Sequence, residues 1–319
     1  MHWLIKAATQ KAISCFPHSE KINYVFRRTI ARSLPANEDA FFRMIDIGLR
    51  HYNNFHKYGV LNELSRVKIY EFGTGWDLII PLLFFALGIK NQTLVDIRPN
   101  IQFELINDTL EKYLCFKIKL EQKIGRLIEE KAYAAHINSI DDIKQRFGIT
   151  YLAPYDARDT KITSESLDFI FSTSTLEHIP KQDILKILKE CYRILRPNGI
   201  VSSLIDLKDH YSYFDKNITH YNFLRYSDNK WSLFNSPISF QNRARYPDYI
   251  KMIRESGFEI VEQQVERPDK MDLKSMLHIS LADKYKRKYD IKDLGVKTLW
   301  IVLKKKAKNT IMSVEKSNA

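Results

Sequence analysis

Apolar positions along this chain follow two rhythms. Compact apolar blocks rich in branched and aromatic residues predict strands. They lie at the start and end of the segment Val67 to Asp96, at Thr150 to Tyr155, Leu167 to Ser174, Ile200 to Leu207, Phe258 to Val265 and Thr298 to Leu303. Between them, apolar residues return every three or four positions and predict helices at Ile101 to Tyr113, Asp183 to Leu195 and Tyr246 to Ser256, with a continuous apolar helix from Leu78 to Leu87. Strand and helix alternate often enough to predict an α/β chain with a doubly wound, mostly parallel sheet and helices on both faces.

The rhythm changes at three places. Residues 1–64 read as a helical N-terminal extension, in which Trp3, Leu4, Ala7, Ala8 and Ala12 share a helical face that could rest on the protein or on a membrane surface. Phe41 to Phe55 is predicted as a further helix, ending near Gly59. The catalytic unit then spans 65–306, with a helical insertion at 114–149 and a polar, aromatic cap at 208–245, and 307–319 reads as a flexible tail. An insertion of that length, where a short connection suffices, predicts a lid or a docking surface.

Composition narrows the class. With 319 residues and 45% apolar content the chain can bury a full core. Its longest apolar run, Leu78 to Leu87, is far shorter than the roughly 20 residues of a bilayer span. The first residues do not read as a signal peptide. Cys15, Cys115 and Cys191 lack metal-ligand spacing, so reduced thiols, a cytoplasmic setting and no metal are expected. The net charge of +12 allows an anionic or membrane-associated partner without choosing one. Basic residues concentrate at Lys6, Lys11, Lys21, Arg27, Arg28 and Arg32, through Lys117 to Arg126, and at Lys304, Lys305, Lys306 and Lys308. Charge runs of this kind are usually solvated faces. No aromatic-rich RNA-binding consensus is present, which disfavours nucleic acid.

Chemistry concentrates in Val67 to Asp96. Gly73 and Gly75 let the backbone turn sharply and approach a ligand closely, and Asp96, ending the next strand, is placed to accept from ribose hydroxyls. A dinucleotide fingerprint would need glycine at the position of Leu78, so a pyrophosphate is disfavoured. S-adenosylmethionine carries no phosphate. Asp77 is placed to cap the following helix, and Trp76 either lies near a sulfonium or packs on the sheet.

These residues resemble the class I S-adenosylmethionine-dependent methyltransferases, Rossmann-like enzymes. The resemblance covers about Val67 to Lys305. It rests on EFGTG at Glu71 to Gly75, Asp96, Asp156 with Ala157, LDFIFSTSTLEHI at Leu167 to Ile179, and ILRPNG at Ile194 to Gly199; the family's third glycine is Asp77 here. It implies that Glu71, Gly73 and Gly75, with Thr74, line the methionine half of the cofactor. Asp96, with Ile97, would hold the ribose, Asp156 and Ala157 would meet the adenine, and Ser172 and Thr173 would border the methyl.

Because a sulfonium is already activated, catalysis mainly requires positioning. For a hydroxyl acceptor a histidine base is useful, and His178 and His210 both follow strand ends on the ligand side of the sheet. Acceptor recognition is expected from Tyr211, Arg225, Tyr226, Trp231 and Arg243, with Arg245 as a further planar cation. The predicted function is methyl transfer to a small-molecule or glycan-type acceptor, at oxygen. An RNA methyltransferase and a non-catalytic S-adenosylmethionine-binding protein are the alternatives.

Overall fold

The computed structural model describes residues 2–29, 33–60 and 63–306. The expected flexible tail, 307–319, and the basic residues Arg32 and Lys308 lie outside the described residues. Seven strands form one sheet: β1 (Lys68–Phe72), β2 (Asn91–Val95), β3 (Ile149–Leu152), β4 (Leu167–Thr173), β5 (Leu195–Asp206), β6 (Phe258–Glu266) and β7 (Thr298–Lys305). Their order is β3-β2-β1-β4-β5-β7-β6. The first five are parallel neighbours, while β7 runs antiparallel between β5 and β6. The predicted doubly wound, mostly parallel sheet is therefore present.

Alternation along the central strands feeds two cores, since successive side chains point to opposite faces. Ile69, Phe169 and Phe171 enter one cluster with Phe41 and Ile45 of helix Glu38–Tyr58 and with Leu82 to Phe85 of helix Ile79–Ala86. Tyr70, Phe72 and Ile170 enter the other, beneath helices Lys181–Ile194 and Tyr246–Glu255.

The insertion departs from expectation. Its helices Lys117–Ile124, Glu130–Tyr133 and Ile140–Phe147 pack Leu120, Tyr133, Ile143 and Phe147 into the first core. The Tyr133 hydroxyl donates to the carbonyl of Leu82, 2.8 Å away. The segment thus buttresses the sheet edge at β3 and is not a lid.

A third cluster was not foreseen. Trp3 and Ala7 of α1 (Trp3–Ser14) pack on Tyr211, Tyr221, Phe223 and Trp231 of the cap, and on Met276, Tyr285 and Leu294 from the helices between β6 and β7. The Trp3 backbone N–H donates to Asp215 at 2.9 Å, and Ser236 donates to the Gln10 carbonyl at 2.8 Å. The docked face of α1 is Trp3, Lys6, Ala7 and Gln10; of the predicted apolar face, Leu4, Ala8 and Ala12 stay exposed, and a membrane-surface role for it has no support. No described helix is long and apolar enough to cross a membrane.

Arg245 ties the cap to the body. Fully buried, its guanidinium donates to the carbonyls of Leu294, Leu207 and Val296 at 2.9, 2.6 and 2.6 Å. Arg245→Met leaves three buried carbonyls unpaired, and with about 1–3 kcal/mol per orphaned group it is expected to destabilise by about 3 kcal/mol or more. Arg225→Met, at an exposed position, should stay within about 0.5 kcal/mol of the parent protein. Urea unfolding of the two variants measures the difference.

Candidate active site

The carboxyl ends of the parallel strands open onto a cavity of about 820 Å³. Open α/β sheets hold ligands at this edge because the strand ends and helix starts leave a crevice there. The turn after β1 shapes its floor. Gly73 and Gly75 take φ of 76° and 82°, and the Gly73 N–H donates to the Val95 carbonyl at 2.9 Å, pinning the turn to β2. A Cβ on Gly73 would fall 2.2 Å from the Thr175 methyl, whereas one on Gly75 would point into open cavity. Leu78 is also left-handed, at φ 56°, a conformation that costs a non-glycine residue roughly 1–2 kcal/mol. Burial of its side chain among Ile79, Leu82 and Phe84 holds it there. The helix accordingly starts at Ile79, and Asp77 caps it only loosely, taking the Ile79 N–H at 3.5 Å.

Acids crowd this end. Glu71 is 3% exposed, and its Oε2 has no partner among the described residues. Burial, reinforced by Asp96 and Asp77, pushes its carboxyl well above the ordinary range. Asp96 accepts the N–H of Arg98 at 3.2 Å and that of Gly75 at 3.5 Å; burial still leaves it raised. The Thr74 hydroxyl is likewise buried without a partner. Asp156 lies on the wall beside Ala157, gripped by Arg158 at 2.7 Å, and Arg158 also reaches Asp183 at 3.0 Å.

Glu71, Gly73, Thr74, Gly75, Asp96, Ile97, Asp156, Ala157 and Thr173 all line the cavity. Ser172 does not. Strand alternation turns it into the sheet, where its hydroxyl donates to Ser203 at 3.0 Å. Trp76 lines the cavity stacked on Tyr24, with ring centroids 5.5 Å apart, and the cation over its face is Arg27.

The cavity also takes in both histidines, their ring centroids 4.9 Å apart. His178 Nδ1 lies 2.7 Å from the Phe240 carbonyl, which can only accept, so Nδ1 bears the proton and Nε2 keeps its lone pair. Its ring is open to the cavity but hemmed in by protein, and this burial, with His210 alongside, brings it down to about 4. His210 sets Nε2 3.6 Å from Asp206, whose carboxylate also accepts from the Tyr213 hydroxyl. Burial acts to raise Asp206, but His210, Lys208 and Tyr213 together outweigh it and hold the carboxyl at about 2, so it is ionised. Beneath them, buried Glu177 accepts the Asp206 N–H at 3.2 Å. Glu177, His178 and His210 place ligand atoms within 4.8 Å of one another, a grouping that sequence spacing did not disclose.

Of the expected acceptor residues, Tyr211 and Trp231 line the cavity. Arg225, Tyr226 and Arg243 do not. Arg225 points to solvent and Tyr226 packs on Trp3, with centroids 5.9 Å apart. Arg243 donates to the carbonyls of Phe223 and Tyr226 at 2.9 and 2.5 Å and pairs with Asp228, so its fork is spent on the cap. Missed in their place were Lys6, Gln10 and Arg27 from the N-terminal helices, and Asp206. For Asp206 the signal was present, an acid closing an apolar strand as Asp96 does.

Residues 132–203 match the family model described as "Methyltransferase domain", a stretch from the insertion through β4 into β5. No match was found among curated proteins. Similar solved structures include a SAM-dependent methyltransferase from Methanosarcina mazei, with 14% identity, TM-score 0.45, and coverage of 79% of this chain and 96% of that one. Another, from Mesorhizobium loti, has 13% identity, TM-score 0.39, and coverage of 76% and 93%. A geranyl diphosphate methyltransferase in complex with SAM has 9% identity, TM-score 0.44, and coverage of 86% and 93%. Residues 132–203 thus match a methyltransferase domain, within a chain whose sheet opens a cavity at its carboxyl edge. S-adenosylmethionine is the methyl donor that the sequence resemblance implies.

The residues present fit that cofactor. An unpartnered buried carboxylate, a hydroxyl without a partner and a glycine facing open space suit a cationic, amine-bearing ligand lying against the turn. Glu71→Gln should weaken S-adenosylmethionine binding by about 2 kcal/mol, the scale of a charge-assisted hydrogen bond. The unliganded variant should respond oppositely. The raised folded pKa of Glu71 makes stability fall as pH climbs from the ordinary carboxylate range toward that value, and glutamine removes the loss. The variant is therefore expected to unfold at higher temperature than the parent near pH 8. Calorimetric titration and thermal melts across pH read both effects.

Proposed function

We propose that the enzyme methylates an oxygen of a small-molecule or glycan-type acceptor, with His210 as the base that takes the hydroxyl proton. The carrying observation is His210 on the cavity wall, with Asp206 3.6 Å from its Nε2. When bound, S-adenosylmethionine supplies the methyl, whose S–C bond breaks as the bond to the acceptor oxygen forms. An ionised Asp206 holds the His210 ring and stabilises the charge that the ring gains on taking a proton, so Asp206 is a positioning residue. His178, held neutral, can accept a hydrogen bond from the acceptor through Nε2.

Glu71, Gly73, Thr74 and Gly75 would hold the methionine half, Asp96 and Ile97 the ribose, and Asp156 with Ala157 the adenine. Thr173 would border the methyl, while Tyr211 and Trp231 would flank the acceptor. Helices α1 and α2 (Ser19–Thr29) roof the cavity. That enclosure supports a compact acceptor rather than a base within an RNA. Three unpaired cysteines, Cys15, Cys115 and Cys191, support a cytoplasmic setting.

His210→Ala should lower kcat by roughly 10²–10⁴, the usual reach of a positioned base. S-adenosylhomocysteine affinity should stay within about twofold, since the ring stands away from the turn. Asp206→Asn should lower kcat in the same direction with KM less affected. The assay is mass-spectrometric detection of products formed from a metabolite extract and labelled cofactor, followed by kinetics on the acceptor so found. Unchanged turnover in His210→Ala would remove the base assignment.

A further inference from the structure

The cavity is electrically divided. At the turn lie Glu71, Asp77 and Asp96, none within 4.0 Å of a basic nitrogen of the described residues. At the far end α1 supplies Lys6, with no carboxylate of the described residues within 4.0 Å, while Arg27 of α2 lies over Trp76 beside the turn and within reach of Lys6's field. Lys6 is 8% exposed and lines the cavity; its ammonium rests against the Phe214 ring rather than against an acid. Burial, with Arg27 adding to it, draws its pKa down to about 7. Among the described residues Arg27 donates to the Ser33 hydroxyl, at 3.3 Å, and feels Asp77 at longer range. One turn beyond Lys6, on the same helix face, buried Gln10 Oε1 finds no partner among the described residues, and in the cap the buried Trp231 indole N–H finds no acceptor among them.

Burying an unpaired cation is costly, and a site keeps one where a ligand supplies the counter-charge. A cationic donor answers the acids at the turn but leaves Lys6 uncompensated. We propose that this end of the cavity is an anion subsite, in which Lys6, Arg27 and the Trp231 N–H hold a carboxylate or phosphate group of the methyl acceptor. The inference rests on the methyltransferase reading of the same cavity. Gln10 Oε1 accepts from a hydroxyl on that molecule, so the acceptor class is a hydroxylated anion. Its charge and that of the donor then balance the two ends of the site.

The test is calorimetry on the full chain. S-adenosylhomocysteine is titrated first, then inorganic phosphate or benzoate is titrated into the saturated protein, for the parent, Lys6→Gln and Lys6→Arg. The expected result is saturable binding of one anion to the parent, weakened about tenfold or more in Lys6→Gln and largely restored in Lys6→Arg, as for a charge-assisted contact. S-adenosylhomocysteine affinity should be alike in all three. Preference for phosphate or for benzoate tells which group the acceptor carries. If neither anion binds the parent, or Lys6→Gln binds as well as the parent, the subsite is overturned while the methyltransferase reading stands. Failure of S-adenosylhomocysteine to bind the parent overturns that reading itself. Should Lys6→Gln not fold, Arg27→Gln carries the same expectation.

Discussion

A parallel sheet delivers the carboxyl ends of its strands to a single edge, and here those ends carry acids: Glu71 in β1, Asp96 after β2, Asp156 beyond β3 and Asp206 closing β5. Nothing in the fold alone would keep so many carboxylates together. Each is managed differently. Asp156 is neutralised by Arg158, Asp206 by His210, Lys208 and Tyr213, whereas Glu71 and Asp96 are left raised and facing the cavity. The site is built from that difference, because the paired acids orient side chains and the unpaired ones call for a cationic ligand.

Much of this was legible in the chain. Strand positions followed from apolar blocks, and the turn at Gly73 and Gly75 with Asp96 followed from residues whose chemistry is local. The parts that failed depend on contacts distant in sequence. Arg243 and Arg245 looked like ligand-binding cations because their residue type suits anions, but their partners are carbonyls made available only by cap closure. Lys6 looked like one of many solvated lysines. Only the docking of Trp3 into the third cluster, against Tyr211 and Phe234, turns it inward. The insertion misled by its charge content, while its sparse apolar positions, Tyr133 and Phe147 among them, suffice to fill the sheet edge. Ser172 failed for a simpler reason, since its hydroxyl is spent on Ser203 of the neighbouring strand.

Leu78 shows a local rule broken for the sake of the site. A glycine would take the left-handed turn without strain, yet a buried leucine fills the space and holds the helix start rigid. The turn is therefore set by packing beneath it before any ligand arrives, and binding need not order it.

Trp3, Lys6 and Gln10 belong to one short helix whose seat is a cluster separate from the two main cores. An acceptor gripped by Lys6 and Gln10 is thus held by a piece of the molecule anchored apart from the sheet. Loosening that anchorage would slacken the hold on the acceptor while leaving the donor's cradle intact.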